Sequence, residues 1–105
     1  MSRTYQNQFP ADYDVPQEIV VAVKDGKLFD YSWGNDVCPK FCTDRDMNPG
    51  SLVLWSDHPD PDQREISGPR FCVAIVDEEG IVFGGVGSSE NVNDILLALS
   101  LLNVI

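Results

Sequence analysis

An α+β domain is the fold class this sequence predicts: a mainly antiparallel sheet of about five strands, two hairpins plus a single strand, with one C-terminal helix packed on it. Three observations predict it. Short apolar or β-branched runs recur at 18–24, 27–33, 51–56, 71–76 and 81–86, with Gly, Pro and Asp between them. Two pairs of these runs are joined by turn residues, Asp25-Gly26 and Asp77-Glu78-Glu79-Gly80. After Ser88-Ser89 the composition turns helical and stays so to Asn103.

Residues 1–17 are polar and hold Pro10 and Pro16, which predicts an extended N-terminal arm anchored by Tyr5, Phe9 and Tyr13. The single α+β domain is then 18–105. Its first hairpin pairs Glu18–Lys24 with Lys27–Trp33 across Asp-Gly, a two-residue turn that needs positive φ. That register puts Val20, Ala22, Phe29, Tyr31 and Trp33 on one face. Residues 34–50 show no sustained period and read as a long loop, as does the proline-bearing segment 57–69. Ser51–Ser56 is the single strand. Phe71–Val76 and Ile81–Val86 form the second hairpin, with Gly80 suited to a left-handed turn position.

For the helix, Ser88, Ser89 and Asn91 are candidate N-caps, and Glu90 and Asp94 suit the positive end of its dipole. Steps of 100° place Val92, Ile95, Leu96, Leu99 and Leu102 on a sheet-facing side. Leu97, Leu101 and Val104 project nearly opposite, which points to self-association as a homodimer through this helix.

Seventeen acidic residues against seven basic ones give a formal charge of -10. Nucleic acid and anionic membrane repel such a surface, so neither is expected as a direct partner. No apolar run approaches a membrane span of about 20 residues, and the N-terminus lacks the apolar core of a secretory signal. With three cysteines, an odd number, the expected setting is the reducing cytoplasm.

The chemistry-bearing residues form one weak constellation. Cys38, Cys42, His58 and Cys72 are a legitimate zinc ligand set by type, but Cys38-x3-Cys42 is looser than a zinc knuckle and no second close pair exists. No metal and no cofactor is therefore expected. A cysteine hydrolase using Cys38, Cys42 or Cys72 with His58 as base lacks a recognisable oxyanion hole. The loop Gly84–Ser89 sits where an anion could bind at a helix start, yet acids flank it.

Acidity offers the better route to function. Asp12/Asp14, Asp44/Asp46 and Asp60/Asp62 are spaced two apart, and in extended chain their carboxylates would lie about 6.6 Å apart, close to two phosphate steps along one DNA strand. The expectation is a small non-enzymatic interaction protein that engages a basic surface on a partner protein through Asp44, Asp46, Asp57, Asp60, Asp62 and Glu65, with Trp55 as aromatic anchor. Its sharpest form is an inhibitor occupying a nucleic-acid-binding site. Some phage-encoded anti-defence proteins are similar in size and charge; that likeness is one of class, carried by no residue motif.

Overall fold

Between Tyr5 and Lys24 the backbone forms three short helical segments where the sequence predicts an extended arm followed by a strand. The computed structural model describes residues 4–46, 48–65, 67–79 and 82–102, with backbone alone at 82–85. Tyr5–Gln8 form a single helical turn (α1) and Ala11–Tyr13 a 3-10 turn, with Pro10 interrupting the helix between them. Gln17–Lys24 form the helix α2. Its β-branched run favours a strand, but the preference amounts to about 0.5 kcal/mol per residue. Helical spacing puts Ile19 and Ala22 together in the core with Val23 beside them, and burying that stripe outweighs the preference.

Asp25-Gly26 ends this helix instead of turning a hairpin. Gly26 adopts φ 75°. Its N–H bonds to the Val23 carbonyl at 3.1 Å, and the Lys27 N–H bonds to the Ala22 carbonyl at 2.9 Å. That pair of bonds is a Schellman C-cap, which needs the same left-handed glycine as a hairpin turn does. The predicted pairing of 18–24 with 27–33 is therefore absent, and only Phe29–Asp30 enters the sheet, as β1.

Four further strands complete the sheet: Lys40–Cys42 (β2), Leu52–Ser56 (β3), Phe71–Val76 (β4) and Val82–Ser89 (β5). All neighbours are antiparallel and the order is β1-β2-β3-β4-β5, a plain meander. The α+β class and the five-stranded antiparallel sheet with its C-terminal helix stand as expected, while the first hairpin is replaced by α2 and β1. β2 arises inside 34–50, where a loop is predicted, because Phe41 and Cys42 bury one on each side of the sheet. The turn position expected of Gly80 lies outside the described residues.

The two faces of the sheet are unequal. One carries Phe41, Leu52, Leu54, Phe71 and Val73, and α2 and α3 (Val92–Leu101) cover it with Ile19, Ala22, Val92, Ile95 and Leu99. The other carries a smaller cluster of Cys42, Val53 and Val76, with Tyr31 and Trp55 packed against it. Asn91 is the N-cap of α3, its Oδ1 accepting the Asn93 N–H at 2.9 Å. Leu102 is 55% exposed because the helix ends at Leu101 and the sheet-facing projection stops with it. No helix among the described residues is long and apolar enough to cross a membrane.

Candidate functional site

The segment after β3 has no ladder to satisfy its carbonyls, and one arginine does so instead. Arg64 is buried, and each of its five N–H donors has an acceptor. Nε donates to the His58 carbonyl at 2.7 Å. Nη1 donates to the Gly68 carbonyl and to Glu90 Oε2, both at 2.8 Å. Nη2 donates to the Pro59 carbonyl at 3.3 Å and to Glu90 Oε1 at 2.9 Å. The bidentate pair with Glu90 ties the loop to the β5–α3 junction. Arg70 works similarly toward the N-terminal segment: Nη2 donates to the carbonyls of Tyr13 and Asp14 at 3.2 and 2.7 Å, and Nε to that of Asp57 at 3.1 Å.

Arg64 above all, and then the Arg70 backbone N–H at 2.8 Å, hold the Glu90 carboxyl below the usual range. The folded state therefore binds this proton less readily than the unfolded chain. The contribution is full above the unfolded value of about 4.3 and is lost as pH falls through the lower folded value. Glu90→Gln is expected to lower the unfolding midpoint at neutral pH and to flatten its fall below about pH 4.3. Parallel pH profiles for the two proteins would show that Glu90 is not linked to folding.

His58 is buried and fully engaged. Its Nδ1 accepts the Asp60 N–H at 3.0 Å, so the ring proton belongs on Nε2, which donates to Asp12 Oδ2 at 3.1 Å. Tyr13 packs edge-on against the ring at 5.4 Å between centroids, and its hydroxyl donates to the Val37 carbonyl at 3.3 Å.

On the sheet face away from the helices, a pocket of about 310 Å³ opens beside Trp55 and Cys72, which are paired across β3 and β4. Val37, Cys38, Ser67, Gly68 and Pro69 also line it. Asp57 lines it too, only 8% exposed. One oxygen of that carboxylate, Oδ1, accepts the His58 N–H at 2.7 Å. Among the described residues Oδ2 has no partner, and the ion pairs there are Lys40–Asp36, His58–Asp12 and Arg64–Glu90.

These positions bear on the cysteines. Burial first, and the Asp57 charge second, push the Cys38 thiol far up, and the same two causes raise Cys72. Burial also raises Cys42, which lies in the separate cluster with Val53 and Val76. A nucleophile needs a depressed thiol, so the geometry gives that role no support. Cys38 and Cys72 share the pocket, but Cys42 is elsewhere and both nitrogens of His58 are occupied. Among the described residues no three metal-ligating groups converge.

The acidic residues named from sequence do not form one surface. Asp44, Asp46, Asp60, Asp62 and Glu65 are exposed, whereas Asp57 is buried. The loops that carry them leave opposite ends of β3, about 17 Å apart along five residues of strand. Asp44 accepts the Ser51 hydroxyl at 2.6 Å, and Asp60 caps the 3-10 turn Pro61–Gln63 by accepting the Asp62 N–H at 3.0 Å. Asp12 lies in a 3-10 turn and Asp14 at φ 47°. The extended spacing that would match DNA phosphates is therefore not met at 12/14 or 60/62. Gly84–Ser89 is strand, not an anion-binding loop.

The Asp44 end also receives positive charge. Lys24 and Lys27 flank the α2 C-terminus, and Arg45 stacks on Phe29 at 5.8 Å. At the Asp60 end Arg64 and Arg70, among the described residues, turn onto backbone carbonyls. Trp55 is half-buried, with Lys40 Nζ 5.1 Å from its ring centroid. On α3, Leu97 and Leu101 are 60% and 74% exposed, and Val104 lies outside the described residues.

Sequence reasoning missed Arg64 and Glu90 as a pair, and the pocket. Three prolines in a segment with no ladder signalled that its carbonyls need a donor, and Arg64 is the arginine within it. No signal announced the pocket, which depends on strand register. Protein-family models, curated proteins and solved structures yield no match to this chain.

Proposed function

We propose that this chain is a non-enzymatic, cytoplasmic interaction protein whose acidic end, carrying Asp60, Asp62 and Glu65, engages a basic surface on a partner protein. The observation that carries the reading is the inward turn of Arg64 and Arg70. Arg64 is paired with Glu90 and Arg70 is turned onto backbone carbonyls, so neither side chain is paired with Asp60, Asp62 or Glu65. A site built for nucleic acid is the strongest such surface a partner can offer, and its occupation would inhibit that partner. The reducing compartment is supported by three cysteines that form no disulfide in the fold.

The triple change Asp60→Asn, Asp62→Asn, Glu65→Gln removes three charges and leaves the buried network alone. Capture of the partner from the native host is expected to weaken at least tenfold and to lose most of its salt dependence. Duplex DNA or RNA should compete with the wild-type protein for the captured partner. Capture unchanged by the triple variant would reject the reading.

A homodimer through α3 is a companion proposal, supported by the exposure of Leu97 and Leu101. Sedimentation equilibrium should then show a concentration-dependent dimer that Leu97→Glu with Leu101→Glu converts to monomer. A wild-type protein that stays monomeric at high concentration would end it.

A further inference from the structure

The pocket beside Trp55 combines an apolar wall with one buried carboxylate that is only half used. Asp57 Oδ2 has no protein donor among the described residues, yet it is not one of the fully buried polar atoms that lack a partner, so it is open to an incoming cation. Arg64 and Arg70 lie near Asp57, yet their donors go to carbonyls and Glu90, not to its carboxylate. The surroundings also identify the missing partner. A largely apolar cleft with a carboxylate in its lining suits a side chain with a methylene stem and a cationic head. The His58 N–H already sits on Oδ1, so a guanidinium fork would have to share that oxygen, whereas a compact ammonium needs Oδ2 alone.

We infer that this pocket receives a lysine side chain from the partner protein, its ammonium pairing with Asp57 Oδ2 and its stem lying between Trp55, Val37 and Cys72. The inference rests on the acidic-interaction reading and names the contact it makes. The Asp60 surface attracts a basic partner, and the pocket selects where one lysine of that partner seats.

The test begins without the partner. Nα-acetyl-lysine methylamide is titrated into ¹⁵N-labelled protein, with the Trp55 indole N–H as reporter and Trp33, which does not line the pocket, as internal control. Saturable shifts at Trp55 alone are expected, with the norleucine analogue and the arginine analogue each several-fold weaker. Asp57→Asn keeps the oxygen that accepts from His58, so the fold is retained, and lysine binding should fall about tenfold. Cys72→Met fills the cavity while leaving the carboxylate, and should weaken binding too. Equal binding of norleucine, tighter binding of arginine, or indifference to Asp57→Asn in a protein with wild-type unfolding midpoint would overturn the assignment.

Partner capture supplies the second arm. If a protein lysine is the occupant, Asp57→Asn weakens capture at a salt concentration where the Asp60, Asp62, Glu65 variant retains some. If the lysine probe binds but capture ignores Asp57→Asn, the occupant is a free amine and the inference falls, whatever the triple variant does. If the triple variant leaves capture intact while Asp57→Asn abolishes it, the pocket stands and the electrostatic surface does not.

Discussion

Arg64→Met is expected to lower the free energy of unfolding by about 3 kcal/mol, because the carbonyls of His58, Pro59 and Gly68 each lose a donor that water replaces poorly at a part-buried site. Methionine preserves most of the stem volume, which isolates the loss of the donors. A domain of this size has roughly 5–15 kcal/mol in all, so the loss is a large share of it. Urea unfolding should show a lower midpoint with an unchanged slope. Limited proteolysis should cut first within 57–70, the segment the guanidinium ties together. Arg64→Lys is the informative control: it keeps the charge but not the fork, and its single ammonium cannot reach three carbonyls and Glu90. Full stability in the lysine variant would show that charge near Glu90 is what matters and that the carbonyl bonds are incidental.

Phe41→Ala should be more damaging still, by about 3–5 kcal/mol, the range for deleting a fully buried aromatic ring. Phe41 has no exposed surface and packs in the main core, with the Tyr5 ring 6.0 Å away. Its removal opens a cavity beneath α1 as well as in the sheet. The variant is therefore expected to be largely unfolded at 37 °C and, at lower temperature, to release the N-terminal segment. Tyr5 solvent exposure or proteolysis before residue 17 would report that release. If Phe41→Ala lost less than about 1 kcal/mol, residues 34–50 would be the loop their composition suggests and β2 would not contribute to the core.

The contrast between β2 and β4 shows what was legible in this sequence. Phe71–Val76 is six apolar residues in a row, long enough to announce a strand whatever lies around it. Lys40–Cys42 is three residues after a proline, and only pairing with Trp55, Leu54 and Val53 makes it a strand. Local pattern cannot carry information that resides in a neighbour. Asp25-Gly26 is a different case: it signals a left-handed residue, and a hairpin and a Schellman cap both require one there. The choice between them was made by Ile19 and Ala22 at helical spacing against the sheet. The acidic site was legible as composition and not as geometry. Which loop keeps its charge depends on where Arg64 points, and a donor's direction is set by a junction 26 residues away.

The outer strand of the sheet has one further consequence, for how the protein behaves when crowded. β5 is an edge of eight residues, the kind of open ladder on which identical chains stack into fibrils. Its pairing with β4 slips twice, between Val73 and Ala74 and between Ala74 and Ile75, so Val86 and Gly84 have no residue opposite. The kinked edge offers no uninterrupted row of amides and carbonyls to an incoming copy. At the far side β1 is only two residues long. A two-residue edge on one side and a register-shifted edge on the other are both features that disfavour edge-to-edge growth of the sheet.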